Sequence, residues 1–269
     1  MKILITGGDG YVAKILWRSL LSKYNVKSVS RKDFDLSDPK ESRDWFGANR
    51  SFDVVIHTAI KGGSRLCLDS SSVIDSNLKM YYNLLDNSKY FKRLISFGSG
   101  AELHQPNTPY GLSKKVIAES IMGKSDFFNL RIFGLFNEDE LETRFIKSNI
   151  LRYINKEAME IHGDKFMDFL YAPDLAPLVD YYINNANAPK TLNCIYNSKP
   201  RKLSDIAELI NNLDSHRVEI KIGTSSPSQV DYVGSRGETL DKIKLLGLEY
   251  GLRYTYNTIK RLSQANQQI

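Results

Sequence analysis

The feature that most constrains this chain is a glycine-containing turn directly after its first apolar run. The run Ile3-Leu4-Ile5 is followed by Thr6-Gly7-Gly8-Asp9-Gly10-Tyr11-Val12-Ala13. That order is typical of a strand that turns sharply into a helix. Gly7 allows a turn at which a Cβ would clash, Gly10 allows the backbone to approach a ligand, and the small Ala13 allows the helix to pack closely on the strand.

A helix that starts after this turn presents its first N–H groups to a ligand. Tyr11 and Val12 lie at that start. N–H groups at a helix N-terminus bind phosphate, and a strand, a glycine turn and a helix in this order commonly hold a pyrophosphate. We therefore expect a dinucleotide here, bound by Gly7, Gly10, Tyr11 and Val12.

Short β-rich runs alternate with amphipathic stretches along the first half of the chain. Alternation of this kind predicts a parallel sheet covered by helices on both faces. A length of 269 residues is enough to bury a large core as one domain or as two closely fused lobes. The predicted strands are Lys2 to Thr6, Val26 to Ser30, Asp53 to Thr58, Arg93 to Phe97 and Phe127 to Phe133.

A tyrosine and a lysine lie four residues apart in Tyr110-Gly111-Leu112-Ser113-Lys114. On a helix, this spacing places both side chains on one face. The lysine ammonium favours the phenolate form of the tyrosine, which can then exchange a proton with an alcohol or a ketone. Tyr110 is thus the candidate general acid/base, and Lys114 its partner.

Together these residues resemble the extended branch of the short-chain dehydrogenase/reductase superfamily, which includes the NAD-dependent epimerases and dehydratases of nucleotide-activated sugars. The resemblance spans nearly the whole chain. It implies a doubly wound Rossmann α/β core with a smaller C-terminal substrate lobe. The expected division places residues 1–134 and 172–198 in the NAD(P)-binding core, and residues 135–171 and 199–269 in the substrate lobe.

The same resemblance assigns further site residues. Ser99, at the end of the segment Arg93 to Glu102, is similar to the family's catalytic hydroxyl residue, with Ser96 as the second choice. The resemblance also implies that cofactor contacts come from several other residues: Asp35, Leu36, Thr58, Ala59 and Asn77. Asn77 could equally be a structural polar residue of its helix. In the substrate lobe, Met167 stands where the family often has an arginine, which leaves Arg144, Lys165 and Arg236 as candidate contacts of a substrate diphosphate.

The end of the second predicted strand should determine which dinucleotide binds. An acidic residue there would bind the ribose 2′-hydroxyl of NAD. The sequence reads Ser30-Arg31-Lys32 instead, a hydroxyl and two cations that suit a 2′-phosphate. We therefore expect NADP, with Arg31 and Ser30 as ligands of the phosphate. NAD is the alternative, in which Arg31 only covers the adenine.

Two enzymatic activities fit these residues. One is an NADPH-dependent ketoreductase acting on a nucleotide-linked 4-keto-6-deoxy sugar, which the basic segment and a similarity of Asp33 to Asp38 to deoxysugar reductases favour. The other is an NAD-dependent nucleotide-sugar 4-epimerase. Dehydration is disfavoured because Gly100-Ala101 replaces the acid pair of the dehydratases, and Glu102 alone does not restore it. A non-catalytic dinucleotide sensor on the same fold is the third possibility.

Composition argues against other classes of protein. Lysine and arginine number 37 against 31 acidic residues, but the basic residues are dispersed, so no nucleic-acid partner is expected. The four histidines show no metal-ligand spacing. Two distant cysteines, Cys67 and Cys194, fit a reducing compartment, and no signal peptide or membrane span is apparent. We expect a cytoplasmic enzyme of polysaccharide biosynthesis and, from the family's habit, a homodimer.

Overall fold

The computed structural model describes residues 1–64, 68–196, 199–224 and 230–266, and Cys67 lies outside this part of the chain. The contacts between residues divide the chain into two units. The first comprises Met1–Ile132, Leu175–Cys194 and Gly237–Ile243, and the second comprises Phe133–Asp174, Ile195–Arg236 and Lys244–Ile269. Residues 237–243, which the sequence-based division placed in the smaller lobe, group with the first unit, where Leu240 is buried.

Strands and helices alternate along the first unit. In chain order, with numbers that run through both units, they are β1 (Lys2–Thr6), α1 (Tyr11–Leu20), β2 (Asn25–Val29), α2 (Pro39–Ala48), β3 (Phe52–His57), α3 (Ser72–Asp86), β4 (Phe91–Ser99), α4 (Ala101–His104), α5 (Pro109–Met122), β5 (Phe127–Ile132), α7 (Leu175–Asn184) and β9 (Thr191–Asn193). The second unit contains β6 (Gly134–Phe136), α6 (Phe145–Ile154), β7 (Met159–Ile161), β8 (Phe169–Tyr171), α8 (Leu203–Asn211), β10 (Ile220–Ile222) and α9 (Leu248–Asn266).

The first unit is built on a six-stranded sheet in the order β2-β1-β3-β4-β5-β9. Every neighbouring pair in it is parallel. Helices α1 and α7 pack together, and α3 packs with both α2 and α5. The predicted doubly wound α/β fold is confirmed. Its chain order reverses between β1 and β3, and ligands of such sheets bind at the carboxyl ends of the strands beside this reversal.

A core rich in aromatic side chains joins the sheet to the helices α3 and α5. Apolar side chains from β1, β3 and β4 meet those of the two helices in this cluster, and the fully buried Tyr81 is its largest member. Burial of such side chains is the main favourable term in folding. Its members are Leu4, Val29, Phe34, Leu36, Phe46, Phe52, Val55, Met80, Tyr81, Leu84, Phe91, Leu94, Ile117, Ile121 and Phe127.

The second unit contains two small parallel sheets, β10-β7 and β6-β8, together with α6, α8 and α9. The carboxylate of Asp174 anchors one of its loops, because it accepts hydrogen bonds from the N–H groups of Leu246 and Gly247 at 2.8 and 3.0 Å. Among the residues that the structure describes, none of the helices is both long enough and apolar enough to cross a bilayer.

Candidate active site

The glycine turn joins β1 to α1 as the sequence predicts. Gly7 has a φ of +75°, and a Cβ on it would lie 2.7 Å from the Cα of Ala59. The N–H of Gly8 donates to the carbonyl of Val29 at 2.7 Å, which ties the turn to the end of β2. The N–H of Gly10 donates to the carbonyl of Gly7 at 2.8 Å. The turn is therefore closed by its own backbone, and only glycine fits at position 7.

The start of α1 fits the phosphates of a dinucleotide. Gly10 is the N-cap residue, with extended backbone and no side chain that could cap the first turn. Tyr11 and Val12 begin the helix and are half-buried, and the first turn contains no acidic residue. The helix dipole therefore acts on a surface that a phosphate can approach. A Cβ on Gly10 would lie 3.0 Å from the carbonyl oxygen of Gly7, so the turn leaves little room for a side chain.

The ends of β1 and β3 are held together by hydroxyl groups. The Thr6 Oγ1 atom lies 2.9 Å from Nδ1 of His57, and Thr58 Oγ1 donates to the Thr6 carbonyl at 2.6 Å. Ala59 donates its N–H to Thr6 Oγ1 at 3.4 Å. Burial, assisted by the charge of Lys114, lowers the pKa of His57 to about 3. His57 is thus a neutral structural residue that fixes the Thr58-Ala59 segment beside the glycine turn.

A compact turn follows β2. The carboxylate of Asp33 accepts the N–H of Ser30 at 2.8 Å, and Ser30 Oγ accepts the N–H of Lys32 at 3.3 Å. Arg31, Lys32 and Asp33 are exposed. The turn therefore presents one carboxylate close to its two cations, whereas the prediction from the sequence rested on the Ser30 hydroxyl and the two cations alone.

Asp35 and Leu36 lie in the loop that leads to α2. The Leu36 side chain is buried in the aromatic-rich core, and its carbonyl accepts bonds from Ser42 Oγ and Asn83 Nδ2. The Asp35 carboxylate accepts the hydroxyl and the N–H of Ser37, which lowers its pKa. A contact of this pair with the cofactor stays a prediction.

Asn77 connects three parts of the first unit. Its Oδ1 accepts the N–H of Lys61 at 2.9 Å, and its Nδ2 donates to the Lys61 carbonyl at 3.1 Å and to Ser113 Oγ at 3.0 Å. Ser113 Oγ in turn donates to the carbonyl of Tyr110 at 2.8 Å. These bonds use both amide hydrogens of Asn77. They support the structural reading of this residue, while its contact with a cofactor stays a prediction.

Tyr110 lies in the first turn of α5. Thr108 caps this helix by accepting the N–H of Gly111 at 3.1 Å, and Pro109 occupies the first helical position. The short connection from α4 fits because Gly111 has no Cβ, which would clash with the carbonyl oxygen of Gln105. Gly63, with a φ of +74°, lies so close that its Cβ would be 2.8 Å from the Tyr110 ring.

Lys114 is buried one helical turn after Tyr110. Its Nζ donates to the carbonyl of Phe97 at 2.5 Å and lies 5.8 Å from the centre of the Tyr110 ring. Burial lowers the pKa of Lys114 to about 8, and the charge of Glu102 opposes this shift. The predicted pair thus shares one face of α5, with an ammonium group that titrates close to neutral pH.

Ser99 is the last residue of β4 and is buried. Its Oγ accepts the N–H of Ala101 at 3.2 Å, and its own N–H donates to Oε1 of Glu102 at 2.8 Å. Ser96, the second choice, lies inside the strand opposite His57 and is 1% exposed. The position at the strand end favours Ser99 as the substrate-facing hydroxyl.

The sequence reading missed a buried polar group beside Ser99. Glu102 accepts from Nε of Arg131 at 2.7 Å and from Nδ2 of Asn129 at 3.1 Å. Arg131 also donates to Oδ1 of Asn193 at 2.8 Å. An acid three residues after a candidate hydroxyl was visible in the sequence, but its arginine and asparagine partners lie on another strand.

The remaining candidates from the sequence lie in the second unit. Met167 is buried there, and its N–H donates to the Arg201 carbonyl at 3.0 Å. Arg236 Nε donates to the carbonyl of Tyr196 at 3.0 Å, and Arg144 Nε lies 3.8 Å from Oε2 of Glu140. Lys165 accepts the N–H of Leu203 through its carbonyl. Their contacts with a substrate diphosphate stay predictions.

Neither a disulfide nor a metal site is found among the described residues. Cys194 is a free, buried thiol, and burial raises its pKa to about 12. Within the same part of the chain, no group of three or more histidine, cysteine or acidic side chains is arranged to hold a metal ion.

Comparisons with known proteins agree with this fold. GDP-L-colitose synthase of Yersinia pseudotuberculosis is 27% identical over 234 residues, which are 72% of this chain and 76% of the relative. GDP-mannoheptose C4 reductase from Campylobacter jejuni, solved with NADP bound, has a TM-score of 0.80 at 16% identity and covers 96% of this chain and 98% of its own. UDP-glucose 4-epimerase from Thermus thermophilus, solved with NAD, has a TM-score of 0.77 at 15% identity and covers 96% and 98%.

The fold and the site define an NAD(P)-dependent enzyme built on a Rossmann-type sheet. The model of the NAD dependent epimerase/dehydratase family matches residues 3–197, which is more than half of the chain. The chain therefore belongs to this family, as its resemblance to the extended short-chain dehydrogenases predicted.

Proposed function

We propose that this chain is an NADPH-dependent ketoreductase that acts on a nucleotide-linked 4-keto-6-deoxy sugar. The observation that carries the proposal is the end of β2, where Ser30, Arg31 and Lys32 offer a hydroxyl and two exposed cations. A 2′-phosphate needs such charge-assisted hydrogen bonds. Support also comes from the named relatives, a GDP-L-colitose synthase and a GDP-mannoheptose reductase with NADP, because both names refer to GDP-linked sugars.

The dinucleotide would be held by two backbone segments. Gly7, Gly10, Tyr11 and Val12 would bind its pyrophosphate at the start of α1. The segment Thr58-Ala59 would lie beside it, since hydroxyl bonds to Thr6 fix that segment next to the glycine turn. When bound, the nicotinamide supplies a hydride for the sugar carbonyl carbon.

The proton for the reduced oxygen would come from Tyr110. Ser99 would donate a hydrogen bond to the same oxygen and hold it near the phenol, which stabilises the negative charge that develops there. Lys114 would keep its ammonium group near the Tyr110 ring and so stabilise the phenolate left after proton transfer. The three residues thus perform the acid catalysis that a ketone reduction needs.

An NAD-dependent 4-epimerase is the second candidate, and one structural observation favours it. The carboxylate of Asp33 accepts the N–H of Ser30 and so lies at the end of β2, where an acidic group could bind ribose hydroxyls. The Thermus thermophilus epimerase, solved with NAD, has a similar fold. The cations Arg31 and Lys32 in the same turn weigh toward NADP.

A titration with reduced nucleotides separates the two candidates. The purified protein is titrated with NADPH and, separately, with NADH, while nicotinamide fluorescence is followed and the protein is tested for a co-purified nucleotide. The ketoreductase predicts a clear preference for NADPH and an empty site. Tightly retained NAD would contradict it and favour the epimerase, and binding of neither nucleotide would contradict both.

We also propose that the protein forms a homodimer through α5 and its neighbour α3. Three large apolar side chains on these helices are exposed in the single chain: Tyr82, Leu112 and Met122. Exposed apolar side chains on adjacent helices are common where two copies of a chain pack together. Light scattering during size-exclusion chromatography tests this, and a mass of one chain, 30.6 kDa, would contradict it.

A further inference from the structure

The carboxylate of Glu102 is buried next to the last residue of β4. Its side chain is 2% exposed, and that of Arg131, its ion-pair partner, is 14% exposed. Oε1 accepts the N–H of Ser99 at 2.8 Å, and Oε2 accepts from Arg131 Nε at 2.7 Å. Asn129 Nδ2 contributes further bonds at 3.1 and 3.3 Å. A buried charge is tolerated only with such partners.

Gly98 leaves room in β4 for this carboxylate because it has no side chain. A Cβ on Gly98 would clash with Oε1 of Glu102 and would lie 2.5 Å from Oδ1 of Asn129. Arg131, the residue opposite Gly98 in β5, is itself held by Asn193 in β9. Residues of three neighbouring strands thus hold the Glu102 side chain in place. The backbone N–H of Ser99 is one of its hydrogen-bond donors.

The same carboxylate acts on Lys114 through its charge. The carbonyl of Phe97 on β4 and the ring of Tyr110 on α5 lie against the ammonium. Its charge also acts on the neutral, buried His57 of β3, and the Arg131 guanidinium of β5 is paired with Glu102 itself. The negative charge of Glu102 is the interaction that opposes the effect of burial on the pKa of Lys114. A negative charge near a buried ammonium favours its ionised form, most strongly where water is excluded.

We infer that Glu102 is a positioning residue of the active site, which orients Ser99 through its backbone N–H and places its negative charge beside Gly98, next to the Phe97 carbonyl that binds Lys114. This role rests on the proposed function, in which Ser99 and Lys114 assist the proton transfer from Tyr110. Glu102 contacts neither a substrate nor a cofactor in this role. It acts through the two residues that do.

The test is a titration of Lys114 that needs no substrate. Full-length protein is labelled with ¹³C at the ε carbon of lysine, and the Lys114 resonance is identified by its loss in Lys114→Arg. In wild type its midpoint is expected at about pH 8. In Glu102→Gln the midpoint should fall by about 1 pH unit or more, because the opposing charge is gone. The alkaline limb of kcat/KM should move down with it.

Two further variants keep the test decisive. Asp126→Asn is the matched control, because it also removes a carboxylate that is paired with an arginine, Arg93. This pair lies at the opposite end of β4 and β5, so the Lys114 midpoint should not change. Glu102→Asp keeps the charge but shortens the side chain, so its midpoint should lie between those of wild type and Glu102→Gln. It also replaces Glu102→Gln if the latter does not fold.

The results separate this inference from the proposed function. A Lys114 midpoint that is the same in wild type, Asp126→Asn and the Glu102 variants would overturn the inference. A wild-type enzyme that reduces no keto sugar would overturn the proposed function, while the lysine titration still decides whether Glu102 controls Lys114.

Discussion

The ammonium group of Lys114 donates to the backbone carbonyl of Phe97 across 2.5 Å. Phe97 precedes Ser99 by two residues on β4, and Lys114 follows Tyr110 by one turn on α5. This single hydrogen bond therefore ties the helix with the candidate acid to the strand with the candidate hydroxyl. It keeps the ammonium inside the protein, where its charge acts on Tyr110 with little screening by water.

Replacing Tyr110 by phenylalanine should abolish most turnover and spare cofactor binding. The substitution removes the proton donor but keeps the ring that packs against Gly63. General acids of this kind contribute about 10²- to 10⁴-fold to the rate. Steady-state kinetics and NADPH titration check both parts, with Tyr250→Phe, an exposed tyrosine of α9, as the control. Unchanged turnover in Tyr110→Phe would instead identify a non-catalytic dinucleotide-binding protein.

Alanine at Gly7 should weaken dinucleotide binding and destabilise the fold. The new Cβ must share space with Ala59 at 2.7 Å in addition to adopting a φ of +75°. Gly247 is a matched control, since its φ is +96° and its Cβ would meet nothing within 4 Å. We expect a loss of about 1 kcal/mol for Gly247→Ala and of more than about 2 kcal/mol for Gly7→Ala in urea unfolding. Equal losses would show that the contact with Ala59 has no effect.

Removal of the Arg31 guanidinium should weaken the binding of NADPH and leave that of NADH nearly unchanged. Arg31→Ala loses a charge-assisted hydrogen bond to the 2′-phosphate, so Kd for NADPH should rise about 10- to 100-fold. Kd for NADH should stay nearly constant. Arg43→Ala, an exposed arginine of α2, controls for the general loss of positive charge. If Arg31→Ala weakens NADH and NADPH equally, Arg31 only covers the adenine.

Acid should destabilise the protein through His57. Its pKa falls from 6.5 to about 3 on folding, so the unfolded chain binds the extra proton first as the pH falls. The stability from the neutral ring is complete above pH 6.5 and is lost progressively as the pH falls toward 3. Between pH 7.5 and 5 the loss should be about 2 kcal/mol in the free energy of unfolding.

Two histidine variants check this assignment by urea unfolding at both pH values. His57→Gln should lack that part of the loss, whereas His162→Gln, at an exposed position, should retain it. An equally steep loss in His57→Gln and in wild type would mean that other groups titrate.

Local signals were enough to predict the turn, the alternating sheet and the Tyr110–Lys114 pair. Gly7 and Gly10 specify the turn through backbone sterics, and a spacing of four residues on a helix determines which side chains share a face. The bounds of β2 differ by one residue: the sequence predicts Val26 to Ser30, and the structure places the strand at Asn25–Val29. The end of a strand depends on hydrogen bonds with its neighbours, here those of β1.

The Glu102 cluster could not be predicted because its members are distant in sequence. Arg131 lies 29 residues from Glu102, and Asn193 lies 62 residues from Arg131. They come together only through the order of β4, β5 and β9 in the sheet. The hydrogen bond from the N–H of Ser30 to the Asp33 carboxylate could not be predicted either, because only the folded loop shows where the carboxylate lies.

The most direct test of the proposed activity follows the hydride itself. The enzyme is incubated with NADPH that carries deuterium at nicotinamide C4 and with a nucleotide-linked 4-keto-6-deoxy sugar, and the product is examined by NMR and mass spectrometry. A ketoreductase should place deuterium at the former carbonyl carbon and form one NADP for each sugar reduced, with both signals lost in Tyr110→Phe. A 4-keto sugar that is recovered unchanged without net oxidation of NADPH, or a product that carries no deuterium, would contradict it.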